Sequence, residues 1–134
     1  MRLYILLLLC LFYLCCEDLN KDPNTIMFTK VFGGNDKETG YSVQQTADNG
    51  YIITGNTLSF GNGNYDSWVV KTDSKGKEEW NRSYGGSLED QTFDGRQTTD
   101  GGYIFCGRVG SFGNGRADVW LIKTDAKGQK DWEK

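Results

Sequence analysis

The chain repeats itself. Shifting the sequence by 52 residues aligns Phe28–Arg82 with Trp80–Lys134 without a gap, and 22 of the 55 aligned pairs are identical. "SFGNGNYDSW" from Ser59 returns as "SFGNGRADVW" from Ser111, and "KTDSKG" from Lys71 returns as "KTDAKG" from Lys123. Gly33 and Gly34 align with Gly85 and Gly86, Trp68 with Trp120, and Trp80 with Trp132. A period of this length means one supersecondary unit built twice, neither copy able to bury its apolar face alone. On this register the units run 28–79 and 80–131. Residues 132–134 then open a third unit, so the chain reads as a fragment of a longer array.

Each unit predicts about four short strands. They are 78–84, then 41–46 or 93–98, then 51–55 or 103–107, then 68–72 or 120–124. "DNG" at 48 and "DGG" at 100 predict two-residue hairpin turns, because Asn and Gly accept positive φ. "DSKG" at 73 and "DAKG" at 125 suit a type I turn closed by a left-handed Gly. "SFGNG" connects the third strand to the fourth in both copies. The runs Tyr51-Ile52-Ile53 and Trp68-Val69-Val70 are apolar at consecutive positions, which indicates sheets covered on both faces. The expected fold is therefore all-β: two four-stranded antiparallel blades of an incomplete β-propeller, preceded by a helical signal segment.

The spacing D-x-K-G-x-x-x-W at Asp73–Gly76–Trp80, and again at Asp125–Gly128–Trp132, resembles the tryptophan-docking motif of quinoprotein-type propellers. The whole 28–134 stretch resembles secreted bacterial and archaeal propeller repeat proteins. The resemblance implies that Trp80 and Trp132 pack one blade on the next over the turn glycines. It makes Gly33, Gly34, Gly85, Gly86, Trp68 and Trp120 structural positions of the blade, and it assigns no catalytic residue.

The N-terminus is a different material. Met1-Arg2 precedes an apolar run from Leu3 to Cys16, too short to span a bilayer, where about 20 residues are needed. A single positive charge before a short apolar stretch fits a signal peptide over 1–16 and a linker over 17–27. Cys15 or Cys16 is a candidate lipidation site. The expected location is thus extracellular, periplasmic or membrane-anchored as a lipoprotein. Cys106 is the cysteine that stays in the mature chain; it aligns with Thr54 and reads as a small buried strand residue.

Composition removes several chemistries. The chain has no histidine, so Ser/His and Cys/His nucleophile pairs are excluded. Acidic and basic residues are mixed at a net charge of −3, with no basic stripe for nucleic acid. Asn62, Asn64 and Asp66 alternate as oxygen donors and are the calcium candidates, although Arg116 breaks the pattern in the second copy. Asp36, Glu38, Glu89 and Asp90 cluster near the Gly-Gly turns and read as a solvated acidic rim rather than a glycosidase pair. Phe60, Phe112 and Tyr65 read as turn aromatics packed on their own blade, with sugar stacking as the other option. Asn81 heads an N-R-S sequon. Positions that differ between copies, 35–43 against 87–95 and Asn64-Tyr65 against Arg116-Ala117, are the specificity candidates.

The expectation is a non-catalytic, exported or lipid-anchored module for binding or scaffolding at the cell surface. Its expected partners are further blades in the same chain, identical chains, a glycan or a cell-surface protein. The alternative is the non-catalytic part of a secreted carbohydrate-active or quinoprotein-like enzyme.

Overall fold

The computed structural model describes residues 28–134. The signal segment, the linker and the lipidation candidates Cys15 and Cys16 lie outside the described residues. Those described hold eight strands and no helix. In chain order they are β1 (Glu38–Gln45), β2 (Tyr51–Thr57), β3 (Asp66–Thr72), β4 (Glu78–Tyr84), β5 (Asp90–Gln97), β6 (Tyr103–Val109), β7 (Asp118–Thr124) and β8 (Lys130–Glu133). They form two four-stranded antiparallel sheets in plain meander order, β1-β2-β3-β4 and β5-β6-β7-β8. The sheets are phased one strand away from the sequence repeat. β4, which carries Trp80, pairs with β3 and closes the first sheet, and β8, which carries Trp132, closes the second.

Turn chemistry sets the registers. Thr46 N–H donates to Gly50 O at 3.0 Å, and Asn49, at φ 64°, is the positive-φ residue between them. The loop therefore has three residues, not the two expected from "DNG". A type I turn followed by one left-handed residue makes this connection. Thr98 and Gly102 repeat it, with Gly101 at φ 83°. The "DxKG" turns follow the expected form, with Gly76 at φ 71° and Gly128 at φ 72°.

The two sheets pack face to face, and their repeat-equivalent surfaces are used differently. Antiparallel register puts Ile52, Val69, Lys71, Trp80 and Tyr84 on one face of the first sheet. That face meets Tyr103, Phe105, Val109, Trp120 and Ile122 of the second, and together they make the core. By the 52-residue shift the second sheet's core residues correspond to Tyr51, Ile53, Trp68 and Val70, which lie on the opposite face of the first sheet. The contact is head to tail. β3 is buried along its whole length, as its continuous apolar run predicts. β7 alternates instead, with Val119 78% exposed and Trp120 buried, because nothing among the described residues covers the second sheet's outer face. Cys106 lies on that uncovered face. It is exposed, contrary to the buried position expected, while its counterpart Thr54 is enclosed between the sheets.

Candidate functional site

The seam between the sheets is the most elaborated part of the molecule. Its two ends differ. β5 lies against β1, β2 and β3, so the sheets approach most closely at their first strands. Small and polar groups fill that end. Ser42 Oγ donates to Asp94 Oδ1 at 2.6 Å, and a Cβ on Gly95 would collide with Thr54 Oγ1. Further out, aromatic side chains bridge the gap. Trp80 and Tyr103 meet edge to face at 5.7 Å, and Tyr84 and Phe105 lie 6.1 Å apart. Tyr84 O–H donates to Gly128 O at 2.8 Å across the seam, and burial raises its phenol pKa well above the ordinary value.

The Gly-Gly turn is held by Asp90, the first residue of β5. Its Oδ1 accepts from Gly110 N–H at 2.8 Å and Ser111 N–H at 2.9 Å, and its Oδ2 from Gly86 N–H at 2.6 Å and Ser111 Oγ at 2.5 Å. Burial alone would push this carboxyl up; the Ser111, Gly86 and Gly110 bonds outweigh it and hold the pKa below the usual value. Asp90 is fully buried, so it does not belong to a solvated rim. Its role was hidden in the sequence because its donors come from two separate loops, Gly86 before β5 and Gly110 and Ser111 after β6. The other three acidic candidates are at least partly exposed. Glu89 pairs with Arg108 at 2.7 Å, and Glu38 accepts from Thr57 Oγ1 at 2.9 Å and from Gly34 N–H at 3.2 Å. The Ser59 hydrogen bond leads the causes that lower the pKa of Glu38. Asp36 caps Lys37 N–H at 2.9 Å.

The calcium candidates do not converge as the sequence pattern suggested. Asn62 offers its backbone N–H to Asp66 Oδ2 at 2.8 Å, and the Asn62 and Asn64 side chains are exposed. Asp66 is buried at 1% exposure, and its Oδ1 has no hydrogen-bond partner. Burial is the main cause raising its pKa, and the neighbouring Asp90 charge adds to it. Among the described residues no group of three or more His, Cys, Asp or Glu is arranged around one ion.

Lys71 is the third buried ionisable residue. Its ammonium donates to Asp48 Oδ2, Glu79 Oε2 and Thr72 O, each at 2.8 Å. Lys123 repeats the arrangement with Asp100 at 2.9 Å and Asp131 at 3.7 Å. These lysines are identical in both copies and tie the hairpin turns together. Sequence reading passed over them, yet the shared K-T-D spacing carried the signal.

The turn aromatics pack locally. Phe60 stacks on Trp68 at 5.5 Å, and Lys37 stands 5.9 Å over the Tyr65 ring. Phe112 is half exposed. Asn81 accepts from Trp68 Nε1 at 3.3 Å and donates to Glu78 at 2.6 Å, which gives the sequon residue a structural use. Tyr41 and Phe93 occupy equivalent positions on β1 and β5 and meet edge to face at 5.5 Å, both substantially exposed. No protein-family model matches the sequence, and no curated protein is similar to it.

Proposed function

We propose that the chain is a repeat module of an exported β-propeller that binds and scaffolds at the cell surface rather than catalysing a reaction. The observation that carries this reading is the likeness of two faces at four repeat positions. Ile104, Leu121, Lys123 and Trp132 on the exposed face of the second sheet occupy the repeat positions of Ile52, Val69, Lys71 and Trp80. Those four residues are among the ones the first sheet uses to dock the second. A face already used once as an interface is complementary to a further sheet of the same repeat, from this chain or from an identical one. Such head-to-tail contacts add units in one direction and close only when the rotation completes a ring.

The unequal filling of the seam supports the same reading. The sheets touch through the small groups of Gly95 on β5 and Thr54 on β2, and through the rings of Trp80 and Tyr84 on β4 against Tyr103 and Phe105 on β6, an unequal spacing that would suit sheets arranged about an axis. In propellers, 4–8 such sheets close a ring. The apolar leader over Leu3–Cys16 supports export, with lipid attachment at Cys15 or Cys16 as the tether. Ligand choice falls to the residues that differ between copies, led by Tyr41 and Phe93, whose exposed rings suit stacking on a sugar or a surface peptide.

Sedimentation of the full chain over a range of concentrations, alongside a glycan and cell-wall binding screen, tests the proposal. Self-association together with binding lost in Tyr41→Ala or Phe93→Ala is the expected result. A strictly monomeric chain that binds nothing in the screen overturns it.

A further inference from the structure

Two aspartates that open neighbouring strands are buried together, and their surroundings treat them oppositely. Asp66 opens β3 and Asp90 opens β5; both are at most 1% exposed. Asp90 N–H donates to Tyr65 O at 2.7 Å, which fixes the two strand starts side by side. Four donors reach the Asp90 carboxylate, two at each oxygen, and hold it as the anion. Asp66 Oδ2 accepts from Asn62 N–H, but Oδ1 is shielded from solvent and receives no donor. Both carboxylates face Gly85: a Cβ there would collide with Asp66 Oδ1 and would lie 2.9 Å from Asp90 Oδ2.

The groups packed around Asp66 do not favour a second anion. Asp90 faces it from β5 and raises the energy of its ionised form. On the β2 side Asp66 pairs with Thr57, whose hydroxyl is committed to Glu38 of β1, a further acid. Gly85 stands on the β4 side, and the 61–65 loop contributes only the backbone N–H groups of Asn62 and Gly63. Lys37 stands over the Tyr65 ring, and neither aspartate has a lysine or arginine partner among the described residues. A buried carboxyl in this setting takes up a proton rather than remain an unpaired charge. The proton removes the unsatisfied anion and the repulsion from Asp90. The Asn62 bond survives it, because Oδ2 still accepts.

We infer that Asp66 is a proton-operated latch on the seam: uncharged, it lets the 61–66 loop and the start of β5 close on Gly85, and ionised, it forces them apart. The latch occurs once among the described residues. Asp118, the counterpart of Asp66, is exposed, and Glu38, the counterpart of Asp90, is half-buried and spends its carboxylate on Thr57 and Gly34. The loop it controls carries Asn64 and Tyr65, two positions at which the copies differ. An acid whose pKa is raised on folding, here from 3.8, contributes stability that is complete below the unfolded value and is lost as pH rises through the folded one. Between those two values the folding constant falls by up to about tenfold per pH unit, and above the folded value it is level.

Urea unfolding of the full chain is followed from about pH 4 to about pH 8 in the parent, Asp66→Asn and Asp118→Asn, and the Asp66 carboxyl carbon is titrated by NMR in the parent. The ratio of parent to Asp66→Asn folding constants is expected to fall as pH rises and then to level. Asp118→Asn is expected to follow the parent. The Asp66 carboxyl is expected to titrate above 3.8, and exchange of the Asp90 amide, corrected for its intrinsic rate, to accelerate over the same interval. A carboxyl that titrates at or below 3.8, or a ratio that does not vary with pH, overturns the inference. So does an Asp90 amide whose protection is unchanged where Asp66 ionises, since the charge would then leave the seam closed.

Discussion

The indole of Trp80 lies directly on Gly128: a Cβ at that glycine would stand 2.8 Å from Trp80 Cζ3. Phe28 takes the same place over Gly76, so the first sheet's outer face is capped by an aromatic ring in the way the second sheet's inner face is. Gly128 is constrained twice, by this contact and by its φ of 72°. Gly128→Ala is expected to destabilise by about 2–4 kcal/mol, combining overpacking with a left-handed alanine. Urea midpoints measure it. A loss below about 1 kcal/mol would mean the ring moves aside freely and does not key the sheets together.

The two tryptophans of the repeat should behave differently. Trp80 packs on the core cluster between the sheets, whereas Trp132 is 43% exposed on β8. Trp80→Ala is expected to remove about 3 kcal/mol of stability, the usual effect of deleting a large packed ring. Trp132→Ala should leave the urea midpoint close to that of the parent while weakening self-association. Equal destabilisation by both substitutions would show that Trp132 already has a partner of Trp80's kind.

Much of this architecture is legible in the chain, for identifiable reasons. Period, turn residues and apolar runs all act over a few residues, so β2, β3, β6 and β7 were found with errors only at their ends. β1 and β5 extend to Glu38 and Asp90 because those acids anchor loops, a tertiary use that no local pattern records. The sheet boundary was hidden because the sequence repeat has no marked start; only strand pairing shows that Trp80 ends a sheet. Cys106 was misplaced for a related reason. Its β6 neighbours read as buried on both sides, but burial depends on which sheet comes next. Asp66 and Asp90 are neighbours across two copies, so comparing the copies position by position does not reveal that they meet.

Tyr84→Phe isolates one bond across the seam. The Tyr84 hydroxyl is buried and reaches Gly128 O at 2.8 Å. Removing it leaves the carbonyl without this donor, and about 1 kcal/mol of stability should be lost. Far-ultraviolet circular dichroism should be unchanged, because the ring stays in place against Phe105. An unchanged urea midpoint would mean that water replaces the hydroxyl without penalty.

Acid should weaken the Lys71 cluster in a defined window. The Lys71 hydrogen bond, followed by that from Thr46, depresses the Asp48 pKa from 3.8 to about 2. For Lys71 itself burial works downward, but its bonds and charges with Asp48 and Glu79 prevail and raise its pKa. A carboxyl with a depressed folded pKa contributes stability above its unfolded pKa and loses it as pH falls toward the folded value. The Asp48 contribution should therefore fade between about pH 4 and pH 2. Its side chain is 56% exposed, so solvent screening limits the effect to under about 1 kcal/mol. Stability of Asp48→Asn should vary less with pH across that window than the parent's. Identical pH profiles would show that the contact contributes nothing to folding.

Cys106 reports on the outer face of the second sheet. It lies on β6 beside Leu121, exposed, at the position where Thr54 is enclosed in the existing seam. A further sheet docked in the same geometry would enclose the thiol as the second sheet encloses Thr54. Labelling with a maleimide should be rapid in dilute solution and much slower at concentrations where sedimentation shows association. Trp132→Ala should restore rapid labelling at those concentrations, because it removes the ring that would key the new seam. A thiol that reacts equally fast in the associated state would place the contact elsewhere and leave this face without its proposed partner.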